Sequence, residues 1–255
     1  MIYRRTYWTM IASAAVLAGL LFPGGRVAGV GPETAEQKPD APAKGPSPPT
    51  AKSVVSDPHQ TGGEPDGVVQ VANLVYAGTK SSRCFSDHFL VTAEKESAIS
   101  TSRRFHAVKL SSENVFEFPL VIMTGEGDFQ LTDEERQNLR RYVERGGLLL
   151  ASAGCSSPEW DRAFRREMAG VFAKQQLQAI PMTHPVFHTV YEIPSLSPGE
   201  RPLEGISIGG RLGVIYSQDG LNDSHATPGC CCCGGSENPN AVQINVNILA
   251  YALTY

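Results

Sequence analysis

Cys155 stands in the run Ala153-Gly154-Cys155-Ser156-Ser157, directly ahead of a Ser-Pro pair that opens a helical pattern. A thiol there would face the free amides of a helix N-terminus, which favour the thiolate and so a nucleophile. Such chemistry also needs a base. His184 and His188 are the histidines in a suitable C-terminal loop. The inert alternative for Cys155 is a buried thiol or half of a disulfide. His184 and His188 are four residues apart, and Glu192 is four further on. On a helix that spacing would set them on one face for a metal ion. Pro185 interrupts the backbone, however, and one ring could instead cap a turn.

Cys230, Cys231, Cys232 and Cys233 are consecutive, between Pro-Gly and Gly-Gly turns. Four adjacent thiols diverge, so one tetrahedral ion could take only two of them, Cys230 and Cys233 for instance, with Cys84, Cys155, His184 or His225 completing the set. Soft thiolates would also suit copper(I). The other readings are disulfides, with bonds from this loop to Cys155 or Cys84 favoured over strained adjacent bridges, and unpaired thiols. If Cys155 is tied to the loop it is no nucleophile. The stretch Gly125-Glu126-Gly127-Asp128 could approach a ligand closely through its glycines. Its two carboxylates would suit sugar hydroxyls or a cation better than phosphate. Arg165 lies one helical turn after Asp161; the two could serve a ligand or simply each other.

The reactive residues need a frame and a compartment. The formal charge of −4 leaves no general footprint for nucleic acid. Arg4 and Arg5 precede an uncharged apolar run, residues 9–22, and the small residues Val27 and Gly29 follow. Residues 1–29 read as a secretory signal, which predicts export to the periplasm or beyond. The run is short for a membrane span, and an uncleaved anchor is the alternative. Residues 30–66 contain eight prolines and no aromatic, leucine or isoleucine residue, the composition of a disordered linker. The folded unit is therefore expected over residues 67–255, as a single domain.

Within it, apolar strands at 71–78, 105–110, 118–125, 148–154, 205–210 and 212–217 alternate with helical patterns at 85–99, 131–147, 157–172 and 240–255. A short strand is expected at 177–180. The helix at 131–147 carries a capping box from Thr132 to Glu135. That at 157–172 repeats Trp160, Phe164, Met168 and Phe172 along one face. The closing helix reads as amphipathic. This order predicts a mostly parallel sheet covered on both faces. Ligands bind such sheets at the strands' carboxyl ends, which singles out residues 124–129, 152–161 and the cysteine loop.

The run from Phe118 to Met168, "HPVFHTVY" at 184–191, "GRLGVIYSQDG" at 210–220 and "INVNILAYALT" at 244–254 resemble a bacterial family called domain of unknown function 4159. The resemblance covers about residues 70–254. That family is in turn similar to ThuA-like and class I glutamine amidotransferase-like proteins, which implies a flavodoxin-like three-layer sandwich. In amidotransferases a nucleophilic cysteine follows the strand after the Gly-rich loop and its helix, the place Cys155 occupies. The second glycine of the Gly-x-Cys-x-Gly elbow and the C-terminal His-x-Glu pair are missing here, which counts against glutamine hydrolysis. ThuA-like proteins lack the nucleophile but carry a His-Pro motif that "THPVFH" resembles. Two functions fit. One is an exported module binding a small molecule or a cell-envelope partner, with carbohydrate as a candidate. The other is a Cys- or metal-dependent hydrolase using Cys155 or His184 and His188.

Overall fold

A computed structural model describes residues 67–82, 84–197, 201–223 and 237–255. The signal, the linker, His225 and Cys230–Cys233 lie outside the described residues.

The first strand, β1 (Val71–Tyr76), is followed by a short hairpin partner, β2 (Lys80–Ser81), helix α1 (His88–Glu96) and strand β3 (His106–Lys109). A 3-10 turn leads to β4 (Leu120–Gly125), then come α2 (Asp133–Glu144), β5 (Leu148–Ala153) and α3 (Pro158–Val171). The chain closes with β6 (Gln178–Ala179), β7 (Glu204–Ile208), β8 (Arg211–Ser217) and α4 (Ala241–Thr254). Strands β3, β1, β4, β5 and β8 lie side by side in that order, all parallel. Strands β7 and β6 extend the β8 edge antiparallel, so the sheet is mostly but not wholly parallel.

The chain leaves β1 toward β3 and returns past it toward β4 and β5. Right-handed crossovers in opposite directions put their helices on opposite faces of the sheet. The core divides accordingly. Ala72, Leu74, Val121, Met123, Leu149 and Tyr216 pack against α2 and α3. Val71, Leu120, Ile122, Leu148, Leu150 and Ile215 pack against α1 and α4. This is why β4 and β5 read as unbroken apolar runs: both faces are covered.

Local signals hold where they are strongest. Thr132 Oγ1 accepts from the Glu135 amide while the Glu135 carboxylate accepts from the Thr132 amide. Trp160, Phe164, Met168 and Phe172 are all buried. The last helix departs from the amphipathic expectation, because Ile244–Tyr251 is buried without a break. Helix α4 is covered by the sheet, by α1 and by the turn at Pro185–Phe187, and Asn245 and Asn247 meet backbone instead of water. The Asn247 side chain accepts from the Val190 and Tyr191 amides and donates to the Tyr191 carbonyl, which clips the 190–191 segment to the helix.

Candidate functional site

Strand order reverses between β1 and β4, where a parallel sheet usually leaves a crevice at its carboxyl edge. Here the chain fills that crevice itself. Strand β2 pairs with the end of β1, on the side that β4 has vacated. Ser82 Oγ donates to the Ile122 carbonyl at 3.0 Å and accepts from the Thr124 amide at 3.1 Å. Asn222, in the loop after β8, lies over the neighbouring strand ends. It makes long contacts, 3.5 Å each, with Thr124 Oγ1 and the Ala153 carbonyl, and its own carbonyl accepts from the Ser86 amide at 2.8 Å. The Ser152 hydroxyl accepts from the Leu221 amide at 2.9 Å. The loops after β2, β4, β5 and β8 are thereby stitched into one polar rim.

Cys155 sits on this rim, half-buried, at the sharp turn between β5 and α3. Its backbone is left-handed at φ 48°, and Ser156 follows at φ 51°. A non-glycine residue in that region stores strain of roughly 1 kcal/mol or more and concentrates at functional turns. The turn is packed hard against the Gly125-Glu126-Gly127 loop: a Cβ on Gly154 would stand 2.9 Å from the Gly125 carbonyl oxygen. Ser157 caps α3 and also accepts from the Gly127 amide at 3.2 Å, so that amide is already engaged. Glu126 is exposed beside the turn. Cys84, a half-buried free thiol at φ 58°, belongs to the loop between Ser82 and Ser86. At the start of α1, His88 Nδ1 lies 3.7 Å from Asp223 Oδ2. His88, Asp223 and Asn222 escaped the sequence reading. The usable signal was "GLND" after a strand, turn-forming residues at the carboxyl end of β8.

The other candidates lie elsewhere. Asp161 and Arg165 do pair, at 2.7 Å, but Arg165 also grips Glu204 on β7 with both terminal nitrogens, and Asp161 accepts from the Tyr216 hydroxyl. These partners hold the Arg165 guanidinium above its ordinary pKa, the Glu204 hydrogen bond most of all. The network fastens α3 to the β7–β8 pair. Asp128 is paired with Arg166 at 3.1 Å.

His184 and His188 flank a 3-10 turn, Pro185–Phe187, not a helix. His184 Nδ1 accepts from the Val186 amide at 3.2 Å and its ring packs on Tyr251, and burial lowers its pKa. His188 is held between Glu192 Oε2 and the Met182 carbonyl, 2.6 Å from each, and its pKa is raised, by Glu192 first and Met182 second. With Nδ1 of His184 turned back on its own turn and both His188 nitrogens engaged, the chelating series His184, His188, Glu192 is not assembled. Among the described residues no group of three or more His, Cys, Asp or Glu is placed to hold a metal ion. His184 lines a cavity that also includes Leu212, at the amino end of β8. Ser152 pairs with Ser217 at the opposite end of that strand. At ~3.3 Å per residue the length of β8 therefore separates His184 from the turn that carries Cys155.

The chain is thus an α/β sandwich whose parallel strands present loops, a strained thiol turn and a polar rim at their carboxyl edge. It belongs to the family described as domain of unknown function (DUF4159), whose model matches residues 70–253. No curated protein matches the chain. Among the described residues no helix is long and apolar enough to cross a membrane.

Proposed function

We propose that the protein is an exported binding module of the cell envelope, which takes a small ligand or partner, carbohydrate among the candidates, at the carboxyl-edge rim. The parallel order β3-β1-β4-β5-β8 supports reading it as a flavodoxin-like sandwich akin to ThuA-like and class I glutamine amidotransferase-like proteins. One observation carries the functional reading. Among the described residues Ser82 and Asn222 occupy the crevice at the strand switch and turn hydrogen-bonding groups toward it, so that part of the rim is a preset polar surface suited to holding a ligand. The test is a thermal-shift screen of the full chain against cell-wall glycan fragments, repeated with Glu126→Ala. A ligand that raises Tm for the native chain and not for the variant supports the reading. No hit with the native chain, or hits that Glu126→Ala leaves unchanged, defeats it.

A second reading, a thiol-dependent hydrolase, draws on the left-handed Cys155 at a strand-to-helix turn. Its base would come from the His88–Asp223 pair on the same edge and not from His184 or His188. Alkylation separates the readings: a nucleophile reacts with iodoacetamide well ahead of Cys84 and slows when His88→Ala is introduced. Equal rates at the two cysteines end the hydrolase reading.

A further inference from the structure

The cavity that His184 lines has a volume of about 430 Å³ and opens beside the β6 edge of the sheet, which β7 and β8 separate from β5 and its Cys155 turn. Its floor is apolar: Ile180 and Leu212 are buried, and Gly205 between them leaves no room for a side chain, since a Cβ there would stand 2.6 Å from Leu212 Cδ2. Its wall carries Lys174, Gln175, Gln176, Gln178, Ser207 and His184. In two further cavities among the described residues the polar groups are largely spoken for. One holds the Glu94–Arg103 ion pair; the other holds the Tyr142 hydroxyl, which contacts two carbonyls, and Arg145, which stacks on Phe116. The side chains of Lys174, the three glutamines and Ser207 have no partner among the described residues. Because His184 Nδ1 accepts from the Val186 amide, the neutral ring carries its proton on Nε2 and is a donor there. The lining thus offers one ammonium group, three side-chain amides, one hydroxyl and no carboxylate, in a chain whose net charge is −4.

We propose that this cavity binds a small polyhydroxylated carboxylate, of the sugar-acid class, with Lys174 facing the carboxylate and the glutamines and Ser207 exchanging hydrogen bonds with hydroxyls. Amide side chains both donate and accept, which suits hydroxyl groups; the lone cation sets the demand for an anion. The site is independent of the carboxyl-edge rim. The experiment is calorimetric titration of the full chain with glucuronate as probe and glucose as the uncharged control. Saturable binding of glucuronate is expected, weakened about tenfold by Lys174→Ala and weakened again by Gln178→Ala, with glucose binding at least tenfold more weakly. Lys174 and Gln178 are exposed, so both variants should fold, and a Cys155→Ala chain should bind glucuronate unchanged. No saturable glucuronate binding, affinity indifferent to Lys174 and Gln178, or glucose binding as tightly as glucuronate each overturns the proposal. A failed screen at the rim leaves it untouched, because that screen reads Glu126.

Discussion

At the scale of single residues, close approach is the dominant constraint. Gly125 ends β4 beneath the Trp160 indole, whose N–H donates to the Tyr76 hydroxyl at 2.9 Å. That hydroxyl donates in turn to the Thr124 carbonyl, and burial pushes its pKa up to about 12. A Cβ on Gly125 would fall 2.3 Å from the Tyr76 oxygen and 2.9 Å from the indole nitrogen. Neither ring can yield without breaking the chain of hydrogen bonds. Gly125→Ala is therefore expected to destabilise by about 2–3 kcal/mol in urea unfolding. It should also disturb the Cys155 turn, because Gly154 rests on the Gly125 carbonyl. A cost within 0.5 kcal/mol would mean that the packing around Trp160 yields to an added methyl group.

At the scale of elements, two devices dominate. Helices α2 and α3 are joined through Glu167, buried on α3, which accepts from the Leu131 amide and from Arg136 Nε and Nη2 at 2.9–3.3 Å. Removing that carboxylate leaves the Leu131 amide unpaired and the partly buried Arg136 guanidinium with Asp133 alone, so Glu167→Ala is expected to cost about 2 kcal/mol by denaturant unfolding. The second device is the turn that His184 and His188 bracket, and its two histidines answer pH in opposite senses. The His188 pKa is raised in the folded chain, so its contribution is full below the ordinary value of ~6.5 and is lost as pH rises through the higher folded value. His184 is depressed by burial, so protonating it opposes folding as pH falls below ~6.5. Tm profiles should show His188→Gln most damaging near pH 5.5 and close to neutral near pH 8.5. His184→Gln should lessen the loss of stability on acidification. Parallel profiles for the native chain and His188→Gln would refute the first assignment. Glu192 is the acid that faces His188, and burial, with no acid partner among the described residues, sets His184.

At the scale of the whole molecule, the core of the described residues is built on both faces of one sheet, and their first strand is β1. A chain starting at residue 67 is expected to unfold in one transition, with a Tm within about 2 °C of the full chain. A chain ending at residue 240 lacks α4, and with it the cover for Leu148, Leu150 and Ile215; it is expected not to fold. Circular dichroism melting checks both. A folded chain without α4 would mean that this face of the sheet tolerates exposure, contrary to its burial.

The sequence by itself determined much of the local structure. Four helices, the cap at Thr132, and the apolar strands β4 and β5 were legible because periodicity and capping act over a few residues. So was the Asp161–Arg165 contact, a spacing of one helical turn. Only the tertiary structure decided the rest. The two-residue strand β2 has too little sequence to signal itself, yet with Ser82 it closes the crevice where a site was expected. The even burial of α4 depends on what surrounds it, not on its own period. His184 and His188 were grouped with Cys155 because they shared chemistry, and chain position alone did not say which end of a strand each would reach. That separation arises after β6, where the chain turns back over α4: His184 packs on Tyr251, whose hydroxyl accepts from the Leu212 amide at the amino end of β8, while the β5 turn stays at the carboxyl edge. Reactive residues are brought together or kept apart by crossovers many residues away, and no local pattern encodes that distance.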